Sequence, residues 1–188
     1  MKTPTRMIGL TLLAFTTILF ILPTECNAQI KTMTAKELTN ESTSILYGKC
    51  TRVESAWTKE KDMILTTVTV IPEYYLKGDL GNEVTITIPG GQVDDIIYEV
   101  SEMPAFRTGE EVFAFVWEHP SGKKLVTGGF QGKLKIETDI STGKRTVSGH
   151  QRSTVTPSQE RATKSTPEVQ SQKISLDDFT KEVKGYLK

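Results

Sequence analysis

The chain is 188 residues long, with 23 Lys and Arg against 23 Asp and Glu, enough for one domain and too balanced for a strongly cationic or anionic protein. The balance is uneven along it: residues 29–140 hold 12 basic and 17 acidic side chains, a net of −5, and residues 141–188 hold 9 and 5, a net of +4. An acidic body lacks the clustered Lys and Arg that phosphate contact requires, so no nucleic-acid partner is expected.

Lys2 and Arg6 precede an uncharged run over residues 7–22, Pro23 then breaks any helix, and Cys26-Asn27-Ala28 puts small residues where a signal peptidase reads. This is the layout of a cleavable secretory signal over residues 1–28. The apolar run is shorter than the roughly 20 residues that span a bilayer. Glu25 stands where a lipoprotein signal needs a small residue before its cysteine, so a lipid anchor on Cys26 is not expected. The expected location is secreted or periplasmic, with no transmembrane segment in the mature chain. Loss of Cys26 would leave Cys50 alone, with no intramolecular disulfide, thiolate metal cage or C-x-x-C pair. A lone cysteine within a strand-like run is expected to be buried and inert.

The body, residues 29–147, opens with a short helix. Thr34 and Glu37 form a capping box, and Met33 and Leu38 occupy the two positions of a hydrophobic staple. From residue 45 the pattern changes to period two, with turn residues between segments. Strands are predicted over 45–55 (Leu46, Gly48 and Cys50 on one face), 63–76, 84–88 (Val84, Ile86 and Ile88 inward), 96–100, 111–118, 124–127 and 133–138. Pro89-Gly90-Gly91 ends the third of these, Pro72 implies a bulge or an edge in the second, and a turn at 141–144 adds a last hairpin. Six or seven short, mostly antiparallel strands point to a mainly β fold, a small OB-like barrel or sandwich. Residues 148–173 are too poor in apolar side chains to offset the entropy of ordering and read as a disordered linker. Residues 174–188 then read as an amphipathic helix, with Ser175 at its cap, Asp177 and Asp178 in its first turn and Phe179, Val183 and Leu187 along one face. A helix this short docks either on its own domain or on a partner.

The glycine-centred strand Ile45-Leu46-Tyr47-Gly48-Lys49-Cys50 is followed by Leu76-Lys77-Gly78 and then by Ile88-Pro89-Gly90-Gly91. A turn with Phe106, Gly109, Glu110 and Glu111 leads to Phe113 and Phe115, and Gly128-Gly129-Phe130-Gln131-Gly132-Lys133-Leu134 comes last. In order and spacing these motifs, over about residues 38–136, resemble a family of uncharacterised secreted bacterial and archaeal proteins. The glycine-centred strand and the long strand ending in Lys-Gly also look like the start of netrin-like domains, OB-type barrels that include the tissue inhibitors of metalloproteinases. Those inhibitors chelate zinc through a mature N-terminal cysteine. A chain starting at Gln29 has none, so that mechanism does not carry over.

Chemistry is sparse. His119 precedes the tight turn Pro120-Ser121-Gly122 and His150 opens the linker, neither with a second ligand at metal spacing; both read as surface histidines. The loop at residues 90–95 has oxygen ligands in Asp94 and Asp95 but lacks the alternation of a calcium loop. No G-x-S-x-G elbow is present, and Glu99, Glu102, Glu110 and Glu111 stand beside ordinary turns. No catalytic residue, metal or cofactor is assigned. Trp57, at the start of the loop joining the first two long strands, borders the ligand face of an OB-type barrel and is the one candidate contact residue, set against a role capping the barrel end. The reading is a secreted or periplasmic non-catalytic binding module for an unknown protein or extracellular ligand; the alternative is an extracellular hydrolase or a protease-inhibitor-like protein.

Overall fold

The computed structural model describes residues 31–149 and 173–187. The predicted signal at 1–28, His150 and residues 150–172 of the predicted linker lie outside the described residues.

Helix α1, Ala35–Glu41, starts as the capping box requires. The Glu37 N–H donates to Thr34 Oγ1 at 3.2 Å, and the Thr34 N–H donates to Glu37 Oε2 at 2.8 Å. Two turns suffice to place Leu38 and Ala35 in the core. The helix ends at Ser42, whose hydroxyl donates to the Leu38 carbonyl at 2.7 Å and meets the Thr127 hydroxyl at 2.9 Å.

Strands β1 (Ser44–Trp57), β2 (Ile64–Lys77), β3 (Val84–Pro89), β6 (Glu111–Glu118), β7 (Lys124–Val126), β8 (Lys133–Thr138), β9 (Arg145–Ser148) and β10 (Ile174–Ser175) form one sheet, with β4 (Gly91–Val93) and β5 (Ile96–Tyr98) pairing separately. The order in the large sheet is β10-β9-β8-β6-β1-β2-β3, with antiparallel pairing throughout. Strand β6 changes neighbour along its length, pairing β8 over Glu111–Ala114 and β7 over Val116–Glu118. The fold is mainly β and barrel-like, but β3 and β7 are not hydrogen-bonded, so the barrel does not close. Ten short pieces replace the six or seven predicted, because the additional ones are only two to four residues long.

Pro72 marks both a bulge and an edge. It lies opposite Gly48, at a register shift between Tyr47 and Gly48. A Cβ on Gly48 would stand 2.2 Å from the Ile71 carbonyl oxygen, so only glycine permits this approach. The pairing of β2 with β3 stops at Val70, two residues earlier, leaving Pro72 no neighbour on that side to which it would owe an N–H.

Alternation gives the sheet two apolar faces. On one, Leu46, Cys50, Val68, Val70, Val84, Ile86, Ile88, Val112, Ala114, Val116 and Val126 close on one another, with Phe106 over them. On the other, Ile45, Phe113, Phe115, Leu134, Ile136 and Val147 are covered by the two helices. The C-terminal helix α2, Leu176–Tyr186, therefore docks on its own domain. Leu176, Phe179 and Val183 are buried, each contributing about 1.5–3 kcal/mol before ordering costs. Two expectations about α2 fail. Ser175 stands at the cap but its side chain makes no capping bond. Leu187, expected on the packed face, is past the last helical turn and 37% exposed; Tyr186 packs against the core instead. No helix among the described residues is long and apolar enough to cross a membrane.

Candidate functional site: a cleft beneath a two-stranded flap

Pro89-Gly90-Gly91 was expected to end a strand. Only Gly90 interrupts it, and the chain continues at once into β4. Gly90 (φ 98°) donates its N–H to the Ile64 carbonyl at 2.8 Å, and its own carbonyl accepts from Thr66 Oγ1 at 2.7 Å. Gly91 (φ 140°) lies so close to the sheet that a Cβ would stand 2.3 Å from Thr66 Oγ1 and 2.5 Å from Ser55 Oγ. Both glycines adopt backbone conformations that L side chains rarely take, and that freedom lays the β4–β5 hairpin across the end of β1 and β2. Asp94 (φ 53°) makes its turn, with the Gln92 amide donating to the Asp94 carbonyl at 3.0 Å.

Under this flap lies a cleft of about 460 Å³. Its floor is Val53, Ser55, Thr66, Val68 and Ile88, and its far wall is the segment from Val100 to Phe106. The hydroxyls of Ser55 and Thr66 bond each other at 2.9 Å, so both are engaged within the wall. The far wall is anchored from below. Glu110 accepts from Lys133 Nζ at 3.0 Å and from the Arg107 N–H at 2.8 Å, and Lys133 lies 5.2 Å from the centre of the Phe106 ring. The Gly109 N–H donates to the Cys50 carbonyl at 2.7 Å, and the Cys50 N–H to the Glu110 carbonyl at 2.8 Å, which ties this segment to β1.

The ionisable side chains lining the cleft are Tyr98 and Glu99, with the hydroxyls of Ser55, Thr66 and Ser101 beside them. Cys50 is buried beneath, as expected, and burial followed by the neighbouring Glu110 carboxylate pushes its thiol up, away from the reactive thiolate. Among the described residues no three His, Cys, Asp or Glu side chains gather to hold a metal ion. Asp94 and Asp95 lie in the hairpin turn, both exposed. His119 sits in an exposed turn, its Nδ1 2.8 Å from Ser121 Oγ and accepting from the Ser121 N–H at 3.1 Å, with its ring against Trp117. Of the four glutamates singled out, Glu110 is structural, Glu111 reaches Arg145 at 3.1 Å, and Glu99 and Glu102 are exposed on the flap side.

Trp57 is half-buried at the last position of β1, opposite Ile64. Alternation puts it on the face of Val53 and Ser55, but it is not among the cleft's lining residues. The strand predicted over 96–100 is present as β5, but its folding over the sheet with β4 was not foreseen. A signal for it was present: Ile96-Ile97-Tyr98 is apolar at three consecutive positions, so a strand there has no polar face. These side chains are 53%, 63% and 38% exposed.

A scan of the chain against protein-family models finds no match, and a search of the curated proteins finds none either.

Proposed function

We propose that this is an exported, non-catalytic binding module whose contact surface is the β4–β5 flap with the cleft beneath it. The observation that carries the reading is the exposure of Ile96, Ile97 and Tyr98 beside a concave, mostly aliphatic cleft. Binding sites of small size are of this kind, an apolar hollow with a few polar groups, and contiguous exposed apolar side chains mark contact surfaces. The mostly apolar lining, with Tyr98 and Glu99 as its ionisable side chains, suits contact with an apolar group. Export is supported by the charge and hydropathy pattern of residues 1–28.

Titration with the neutral dye Nile red tests this. A single saturable site is expected, weakened several-fold in Ile97→Ser and unchanged in Ile140→Ser, an equally apolar but fully exposed position in the β8–β9 turn that lines no part of the cleft. Equal binding by both variants would refute the assignment of the surface.

A further inference from the structure

The flap differs from the rest of the molecule in charge as well as in hydropathy. Residues 84–106 contain four carboxylates, Asp94, Asp95, Glu99 and Glu102, and no Lys, Arg or His. All four are exposed, and they bracket Ile96-Ile97-Tyr98 on both sides in sequence. Several carboxylates elsewhere are matched: Glu37 with Lys31, Glu73 with Arg145, Glu110 with Lys133, Glu137 with Lys135 and Lys173. Among the described residues none of the four flap carboxylates takes part in an ion pair. The flap is also a two-stranded sheet that, among the described residues, pairs with no third strand, and an unpaired strand edge is where an extended segment can add.

Resting on the binding reading above, we propose that the occupant of this surface is an extended cationic segment of another protein, with apolar side chains alternating with Lys or Arg. The alternation follows from the receptor. An extended strand presents successive side chains to opposite faces, so one set of side chains covers the ridge of Ile96 and Tyr98 and enters the cleft, while the other reaches the carboxylates on its rim. A second copy of this chain fits poorly, because docking flap on flap opposes four carboxylates to four more, and like charges brought together across an interface are disfavoured. An uncharged apolar ligand would use the cleft and leave the carboxylates idle.

Fluorescence anisotropy on the full chain, with three labelled decapeptides of alternating Lys-Leu, Ser-Leu and Glu-Leu, tests the proposal. The Lys-Leu peptide is expected to bind tightest, with affinity falling as salt rises. The double variant Asp95→Asn/Glu102→Gln, isosteric, exposed and outside the cleft lining, should weaken it by a factor of about two to five for each charge removed. The same variant should leave Nile red binding unaltered. Equal affinity for the three peptides, or no response to salt, overturns the cationic partner while the binding surface stands. If no peptide binds and Nile red is not taken up, both readings fall. Self-association in sedimentation velocity that Ile97→Ser abolishes overturns the proposal in favour of a second copy.

Discussion

The two faces of the sheet draw on the same strands but are finished in different ways. Strand β6 alone supplies Phe113 and Phe115 to one side and Val112, Ala114 and Val116 to the other. The helix-covered face is filled by interlocking rings: Phe179 meets Phe113 edge-on at 4.9 Å, Phe113 lies 5.4 Å from Phe115, and Tyr47 stacks on Phe113 at 6.3 Å and on Tyr74 at 5.7 Å. The opposite face is lined with valine and isoleucine, and at one end it is covered by the β4–β5 hairpin and the segment from Val100 to Phe106. Two preformed helices with large rings can interdigitate with the sheet and fill every gap. A flap pinned to the sheet only at its glycine base does not, and the space beneath it is the cleft. The proposed ligand contact is on the flap side alone, so it should come apart from the packing of the helix side under mutation.

The largest expected effect is on the helix side. Phe179→Ala removes a fully buried ring touching two others and should cost about 3–5 kcal/mol in urea unfolding. Nile red binding by the folded fraction should be unchanged. Loss of the dye site at denaturant concentrations where the variant remains folded would mean that the two faces are coupled and that the comparison is wrong.

Gly91→Ala should invert that result. Its Cβ would collide with the hydroxyls of Thr66 and Ser55, and φ of 140° is unfavourable for alanine. The flap must lift, at a cost of about 1–3 kcal/mol. Dye affinity should fall, while the near-ultraviolet circular dichroism of the aromatic cluster stays as in the unaltered protein. An unchanged dye affinity would show that the flap does not shape the site.

How much of this was legible beforehand follows the same division. Helix α1 was readable to the residue because its signal is local, a threonine and a glutamate three apart. Strands β1, β2, β3, β5, β6, β7 and β8 were placed within two residues, and the docking of α2 was foreshadowed by Phe179 and Val183. The flap was not, because Gly90 and Gly91 signal a break in direction without saying whether the chain leaves the sheet or folds across it. Whether Ser55 and Thr66 meet Gly91 is set by long-range pairing that spacing along the chain does not encode. Trp57 was singled out from its place at the start of the β1–β2 loop; the cleft nearby is lined by other residues.

The smallest effect concerns the tether that brings α2 to the body. Lys173, just before β10, bonds Glu137 on β8 at 2.8 Å, and Lys135 reaches the same carboxylate at 3.0 Å. The Lys173 bond first, then Lys135, lowers the Glu137 carboxyl from 4.5 to about 2. A carboxyl with a depressed folded value contributes stability above its unfolded value and loses it as pH falls through the folded one, so this contribution should fade from about pH 5 to about pH 2. Lys173 is raised by the same partner, and its share is present below 10.5 and lost as pH climbs beyond it. Both side chains are solvent-exposed, so salt should screen the effect. Glu137→Gln should therefore melt slightly below the unaltered protein near neutral pH, with the gap closing in acid and in high salt. A gap that persists in acid would mean that Glu137 acts through packing, and that α2 is held by Leu176, Phe179 and Val183 alone.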